Sequence, residues 1–245
     1  MIVRSPDRSL DEAQGPPHLL RIVYAAAIPL AAGLAAWHGS RLVEVAAASS
    51  WIAAVFGCVA GCMAADVVTG SVHWACDTWG SEHTPWVGSS LIRSFREHHT
   101  RPLAMLEHDW IEVNGEAATA AAAGFALLAC SAIQAQLTAH PFVYATCWSL
   151  ILVSGLANQL HQWAHAIHPP GAIVLLQRAG LVLAPTRHAR HHRGAHTAGY
   201  CITTGWMNPL LDSVGFWRTL ERAVSVATGA RPRDHEDVER DANRP

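Results

Sequence analysis

Between residues 187 and 193 the chain reads Arg187-His188-Ala189-Arg190-His191-His192-Arg193, an H-x-x-H-H pattern of imidazoles interleaved with guanidiniums. Such side chains are poor core material, whereas imidazole is the commonest protein ligand and suits iron, copper and zinc. A second pair, His161-x-x-x-His165, has the i, i+4 spacing that aligns two rings on one helical face. Upstream, Phe95-Arg96-Glu97-His98-His99 precedes His108-Asp109-x-x-Glu112-x-Asn114-Gly115. Adjacent histidines cannot share a helical face, so one of His98 and His99 is expected to bind a metal and the other to reach a second metal or the substrate. Glu97, Asp109 and Glu112 are the acceptors that ligating imidazoles need for their remaining N–H. A further constellation is Asp66-x-x-x-Gly70-x-x-His73-x-x-x-Asp77, whose spacing places all four residues on one face of a helix. His73 is the expected ligand there, Asp77 a carboxylate that orients it or a neighbour, and Asp66 a structural member.

The composition says what kind of scaffold must carry these residues. The chain has 245 residues, of which 51% are hydrophobic and 15% charged, against about 25% charged in soluble proteins. All 17 basic residues are Arg, and the formal net charge of −2 gives no reason to expect a nucleic-acid partner. Sixteen histidines are several times the usual number, and that excess needs a cause. The six cysteines form no C-x-x-C and read as small buried hydrophobes.

The apolar runs predict an all-α polytopic membrane protein with four transmembrane helices, at about 19–37, 51–72, 117–137 and 141–160. Each approaches the ~20 residues that cross a hydrocarbon core. Gly57-x-x-x-Gly61 in the second is a spacing that lets helices approach closely in lipid. Residues 171–184 are too short to cross and read as an interfacial helix ended by Pro185. Residues 1–18 and 225–245 read as disordered tails flanking one membrane-embedded domain, 19–224. Four spans with a cytoplasmic N-terminus put 16 of the 17 arginines inside and leave only Arg41 outside, which is the positive-inside bias. Every histidine cluster falls on that same side. The Ala- and Arg-rich, Lys-free composition points to a bacterial source and so to a plasma membrane.

A site with eight or more imidazoles has ligands for two metals with positions left open. The absence of H-E-x-x-H and C-x-x-C argues against a metalloprotease or a structural zinc, and the absence of Glu-x-x-His against a soluble carboxylate di-iron bundle. Two irons that activate dioxygen fit best, acting on an acyl or alkyl chain that enters from the bilayer. Arg187, Arg190 and Arg193 are candidates to hold a lipid phosphate at headgroup level. Two rivals are a divalent-metal transporter, suggested by His73-x-x-x-Asp77, and a membrane adaptor that merely holds zinc.

The histidine runs already quoted, together with Asn158-Gln159-x-His161-x-Trp163-x-His165 and Tyr200-Cys201-Ile202-Thr203-Thr204-Gly205-Trp206-x-Asn208, resemble those of the Kua-type lipid desaturases over about residues 50–222. The resemblance implies a four-span membrane oxidoreductase with a histidine-rich di-iron site. It implies dioxygen as co-substrate and electrons from a separate carrier (cytochrome b5-like, ferredoxin or flavodoxin) with its reductase. For the plasmalogen-forming branch it implies conversion of plasmanylethanolamine, an ether phospholipid, into plasmenylethanolamine. An ester-linked acyl chain, or hydroxylation, is the alternative within the same class. The family's histidine boxes fall on His161/His165 and His188/His191/His192, and His73, His98, His99, His108 and His196 match its other histidines. The acidic and amide residues of the same motifs, Asp77, Glu97, Asp109, Glu112 and Asn114, are the implied accompanying site residues. This chain departs from the family in carrying Arg187-His188 where members begin the last box with tandem His, and Thr197 where they often carry an acid.

Overall fold

The computed structural model describes residues 17–85, 87–193 and 196–233. Residues 1–16 and 234–245, most of the two expected tails, lie outside the described residues. Every regular element among those described is helical.

Two helices are long and apolar enough to cross a bilayer: α1 (His18–Ala48) and α2 (Trp51–Thr78). Ser50 caps α2 by accepting a hydrogen bond from the Ala53 N–H. The other apolar stretches are bent pairs. Helices α4 (Trp110–Leu128) and α5 (Ser131–Ala139) meet at 80°, and α6 (Pro141–Gly155) and α7 (Ala157–His165) at 49°. Counting each pair as one span gives four crossings, otherwise two.

The bends correct the expected straight spans 117–137 and 141–160, and polar residues account for both. Helix α5 carries Ser131, Gln134, Gln136 and Thr138, which have nothing to gain from staying in hydrocarbon, and the Gln134 amide donates to the Tyr144 hydroxyl at 3.2 Å. In α7, Asn158 donates to the Val113 carbonyl, Gln159 accepts from Asn114, and Gln162 donates to the Met105 carbonyl. These bonds draw α7 sideways against α4 and aim His161 and His165 away from the axis of α6.

Small residues set the packing. Helix α2 lies along α6 and α1 along α4. A Cβ on Gly57 would meet Ala145 and the Phe142 carbonyl, and one on Gly61 the Ser149 hydroxyl and the Thr146 carbonyl. The Gly-x-x-x-Gly face of α2 is thus its contact with α6. At the far end of the bundle His38 is fully buried between the Tyr144 hydroxyl and the Phe125 carbonyl, each 2.9 Å away. This histidine is a core residue.

Shorter elements close the other end. Helix α3 (Arg93–Thr100) follows a π-helical turn at Gly88–Ile92. Helix α8 (Gly171–Arg178) is shorter than the expected interfacial segment, because Gly180 turns at φ 71°. Pro185 opens α9 (Pro185–His188) rather than ending a helix, using the first-turn position where its missing N–H costs nothing. Helices α10 (Asn208–Ser213) and α11 (Phe216–Thr228) follow. Helix α11 thus runs into the segment expected as a tail from 225, and the Arg233 N–H donates to the Thr78 carbonyl at 2.9 Å.

Candidate metal centre

Asp66 organises this end of the molecule. It is fully buried in α2 and accepts from the Thr203 and Thr204 hydroxyls at 2.6 and 2.7 Å. It also accepts from the backbone N–H groups of Thr204, Gly205 and Met207 at 2.9–3.2 Å. A buried carboxylate demands such partners, and here they fix the 203–207 loop against α2. Asn208 extends the clamp by bonding both backbone groups of Cys201. The same loop returns the Tyr200 carbonyl to α2, 3.1 Å from His73 Nδ1.

Nine side chains converge into two groups whose nearest nitrogen or oxygen atoms lie within 4.8 Å of one another. The first is His98, His161, His165, His188 and His192, and the second His73, Asp77, His99 and His191. They come from α2, α3, α7, α9 and the turn after α9. Both tandem pairs split: His98 and His192 face the first group while His99 and His191 face the second. The two groups consequently share a wall, with the His98–His99 and His191–His192 ring centroids 6.0 and 5.4 Å apart.

Within the groups, nitrogens face nitrogens. His161 and His188, His188 and His192, and His98 and His192 bring their Nε2 atoms to 2.8–3.0 Å, as do His99 and His191 at 2.9 Å. Ligands about 2.1 Å from a common ion in an octahedral array sit about 3.0 Å apart, so these spacings are those of ligands around a small cation. In the second group the carbonyls of Tyr200 and Ala198, 3.1 and 2.9 Å away, face Nδ1 of His73 and His191. A carbonyl only accepts, so Nδ1 carries the proton and Nε2 presents its lone pair. Asp77 Oδ2 lies 3.4, 3.5 and 3.8 Å from Nε2 of His73, His99 and His191. Both its oxygens are buried without a hydrogen-bond partner, as are His98 Nδ1, His165 Nε2, His188 Nδ1 and His192 Nδ1. Buried polar atoms without protein partners at this density fit a site that could hold a cation.

Electrostatics favour that occupant. Burial pushes His98 down to about 2, helped by the rings of His165 and His192, and His191 down to about 3 against the pull of the Ala198 carbonyl. His192 falls to about 4, and His99 and His188 lie far below the ordinary imidazole range, again chiefly through burial. Imidazoles held neutral keep the lone pairs that a metal requires.

The remaining expected site residues lie around this core. His196 adopts a left-handed backbone (φ 51°) and stacks on His99 at 4.3 Å and 10°, placing a ninth ring beside the second group. His108 is not brought in: its side chain is 45% exposed and Nδ1 sits 3.1 Å from Glu112. Asp109 caps α4 through the Ile111 and Glu112 N–H groups and pairs with Arg21, whose guanidinium holds its carboxyl below the usual range. Glu97 pairs with Arg101. Asn114 bonds Gln159, one step behind the first group. Arg187 donates to the Thr204 carbonyl, Arg190 lies 3.8 Å from Asp212, and Arg193 is exposed. Gln159 stands in the motif quoted above without an assigned role, and Gln162 and Glu116 carry no motif signature. Glu116 bonds Tyr24 and Ser90 inside the bundle, and a polar residue at i+4 or i+5 from its motif neighbours was the available signal.

Described residues that are helical in every regular element, with helices long and apolar enough to cross a membrane and two buried histidine groups at one end, define a class: a helical protein with candidate membrane spans built around a candidate metal centre. The lipid desaturase domain model matches residues 62–235, and the chain belongs to that family. It is 36% identical over 234 residues to plasmanylethanolamine desaturase of Myxococcus xanthus, covering 95% of this chain and 81% of the relative. It is 38% identical over 183 residues to plasmanylethanolamine desaturase 1 of Mus musculus (73% and 68%), and 32% over 176 residues to fatty acid desaturase 4, chloroplastic, of Arabidopsis thaliana (71% and 52%). No solved structure matches. Membership makes the chain a lipid desaturase, hence an oxidoreductase, and disfavours the transporter.

Proposed function

We propose that the chain introduces the vinyl-ether double bond into plasmanylethanolamine, giving plasmenylethanolamine, with two irons held by the two histidine groups. The observation that carries the reading is the pairing of nine converging side chains with 36–38% identity to two enzymes named for that reaction. Iron bound there would supply dioxygen activation and hydrogen abstraction from an unactivated C–H bond. The alkyl chain gives up two electrons and two protons, an external carrier adds two electrons, and solvent adds two protons, so one dioxygen becomes two waters. The carrier is a separate protein of the cytochrome b5, ferredoxin or flavodoxin kind, served by its own reductase.

The chain's own residues prepare the site. Carbonyls of Tyr200 and Ala198 fix the tautomers of His73 and His191, Asp77 brings the one carboxylate of the two groups, and burial keeps the other rings neutral. His196, stacked on His99, stands where it can hand a proton toward the second group. The histidine end faces the cytoplasm, in keeping with the arginine bias. The chloroplast relatives named fatty acid desaturase support a second reading, an ester-linked acyl chain as substrate.

Lipids extracted from a host that makes ether phospholipids and expresses this chain test the choice. Acid-labile aldehydes released from the extract, absent with His191→Ala, are the expected outcome. New double bonds confined to ester-linked acyl chains would overturn the vinyl-ether assignment.

A further inference from the structure

A cavity of about 320 Å³ opens beside the second group, within the usual size of small-ligand sites, about 300–1,000 Å³. Asp77, His99 and His196 line its inner end. Arg218, Glu221 and Arg222 line it from α11, and Arg233 from the segment that follows. Positions 218, 221 and 222 share one helical face, while Trp217, Leu220 and Val224 pack against Trp74 and Tyr200. Gly229, at φ 71°, ends the helix, and the bond from Arg233 N–H to the Thr78 carbonyl brings the chain back over the end of α2. The last described segment thus builds a charged mouth directly over candidate ligands.

Two features of that mouth have no partner among the described residues. Arg218, Glu221 and Arg222 form no ion pair among the described residues. Trp217 is 3% exposed, lines the cavity, and its indole N–H has no hydrogen-bond acceptor. Two guanidiniums, one carboxylate and one buried N–H form a recognition set for a phosphate that carries an ammonium.

Chain length places that group here. In a 1-O-alkyl phospholipid the carbon on the ether oxygen is six bonds from phosphorus, about 7 Å when extended. A headgroup site for desaturation at that carbon must border the metal groups. We propose that this cavity is the headgroup subsite. Arg218 and Arg222 take the phosphodiester and Glu221 takes the ethanolamine ammonium. The inference rests on the reading that the substrate is an ethanolamine phospholipid.

The test uses the full chain in detergent, with iron content checked to show that variants fold. Native mass spectrometry counts retained 1-O-hexadecyl ethanolamine phospholipid against its choline analogue. Wild type is expected to favour ethanolamine about tenfold, Glu221→Gln to lose that preference, and the Arg218→Ala/Arg222→Ala pair to lose retention of both lipids. Arg222→Gln serves as a milder variant with the same direction. In turnover, the arginine pair should raise the KM for lipid about tenfold and leave that for the reductant unchanged. A raised KM for the reductant alone would assign the face to an acidic electron carrier and overturn the proposal, as would unchanged lipid retention in all variants. Retention needs no turnover, so a wild type that binds the lipid selectively but makes no vinyl ether would sink the functional reading and leave the subsite standing.

Discussion

The deciding residues are imidazoles kept neutral by burial. Their charge state fixes a pH dependence for metal-depleted protein. The folded rings titrate at about 2 for His98, 3 for His191 and 4 for His192, against about 6.5 unfolded. Between those values the unfolded chain binds more protons, so these rings make stability fall on acidification from about pH 6.5 and add no slope above it. Thermal unfolding of stripped protein in detergent checks this, and a melting temperature that rises on acidification would contradict it. Position also separates histidines that look alike in sequence. His108 lies outside both groups, so His108→Ala should retain the wild-type metal content, while His165→Ala should not. Metal analysis of the two purified variants decides.

At the scale of elements, α2 carries both the packing face and the clamp. Asp66→Ala would strand the buried hydroxyls and N–H groups of the 203–207 loop, each costing about 1–3 kcal/mol. A loss of more than about 3 kcal/mol, and release of Tyr200 from His73, are expected. Denaturant unfolding measures the first, and retention of wild-type stability would refute the clamp. Gly61→Leu would drive a side chain into Ser149 and the Thr146 carbonyl, so the amount of folded protein in the membrane should drop severalfold. These features differed in how visible they were beforehand. The Gly57/Gly61 spacing and the face shared by Asp66, Gly70, His73 and Asp77 followed from helical periodicity, and the structure has all six positions buried or in contact as expected. The bends at residues 129–130 and 156 did not. Hydropathy averages over them, and only the side-chain bonds of Gln134, Asn158 and Gln162 reveal which way the chain turns.

Across the whole molecule, four distant stretches of sequence deliver their histidines to one end of a bundle. Spacing made a candidate metal site legible, and the adjacency of His98 and His99 made it legible that those two would separate. Which member of a tandem pair faces which group was not legible, because that depends on the tilt of α3 and of the turn after α9. Asp77 likewise gave no sign that it stands among the ligand atoms rather than behind them. The arrangement of crossings makes a separate prediction. With each bent pair as one span, a cysteine introduced at Arg41 should be modified by impermeant reagents from the side opposite one introduced at Arg231, in a background without reactive thiols. Same-side modification would contradict that arrangement. The central claim is that the tandem pairs divide between two metals. Iron per chain, measured on purified wild type, His98→Ala and His99→Ala, tests it most directly. About two irons in the wild type and about one in each variant is the predicted result, whereas one iron in the wild type, or none lost from either variant, would contradict the account.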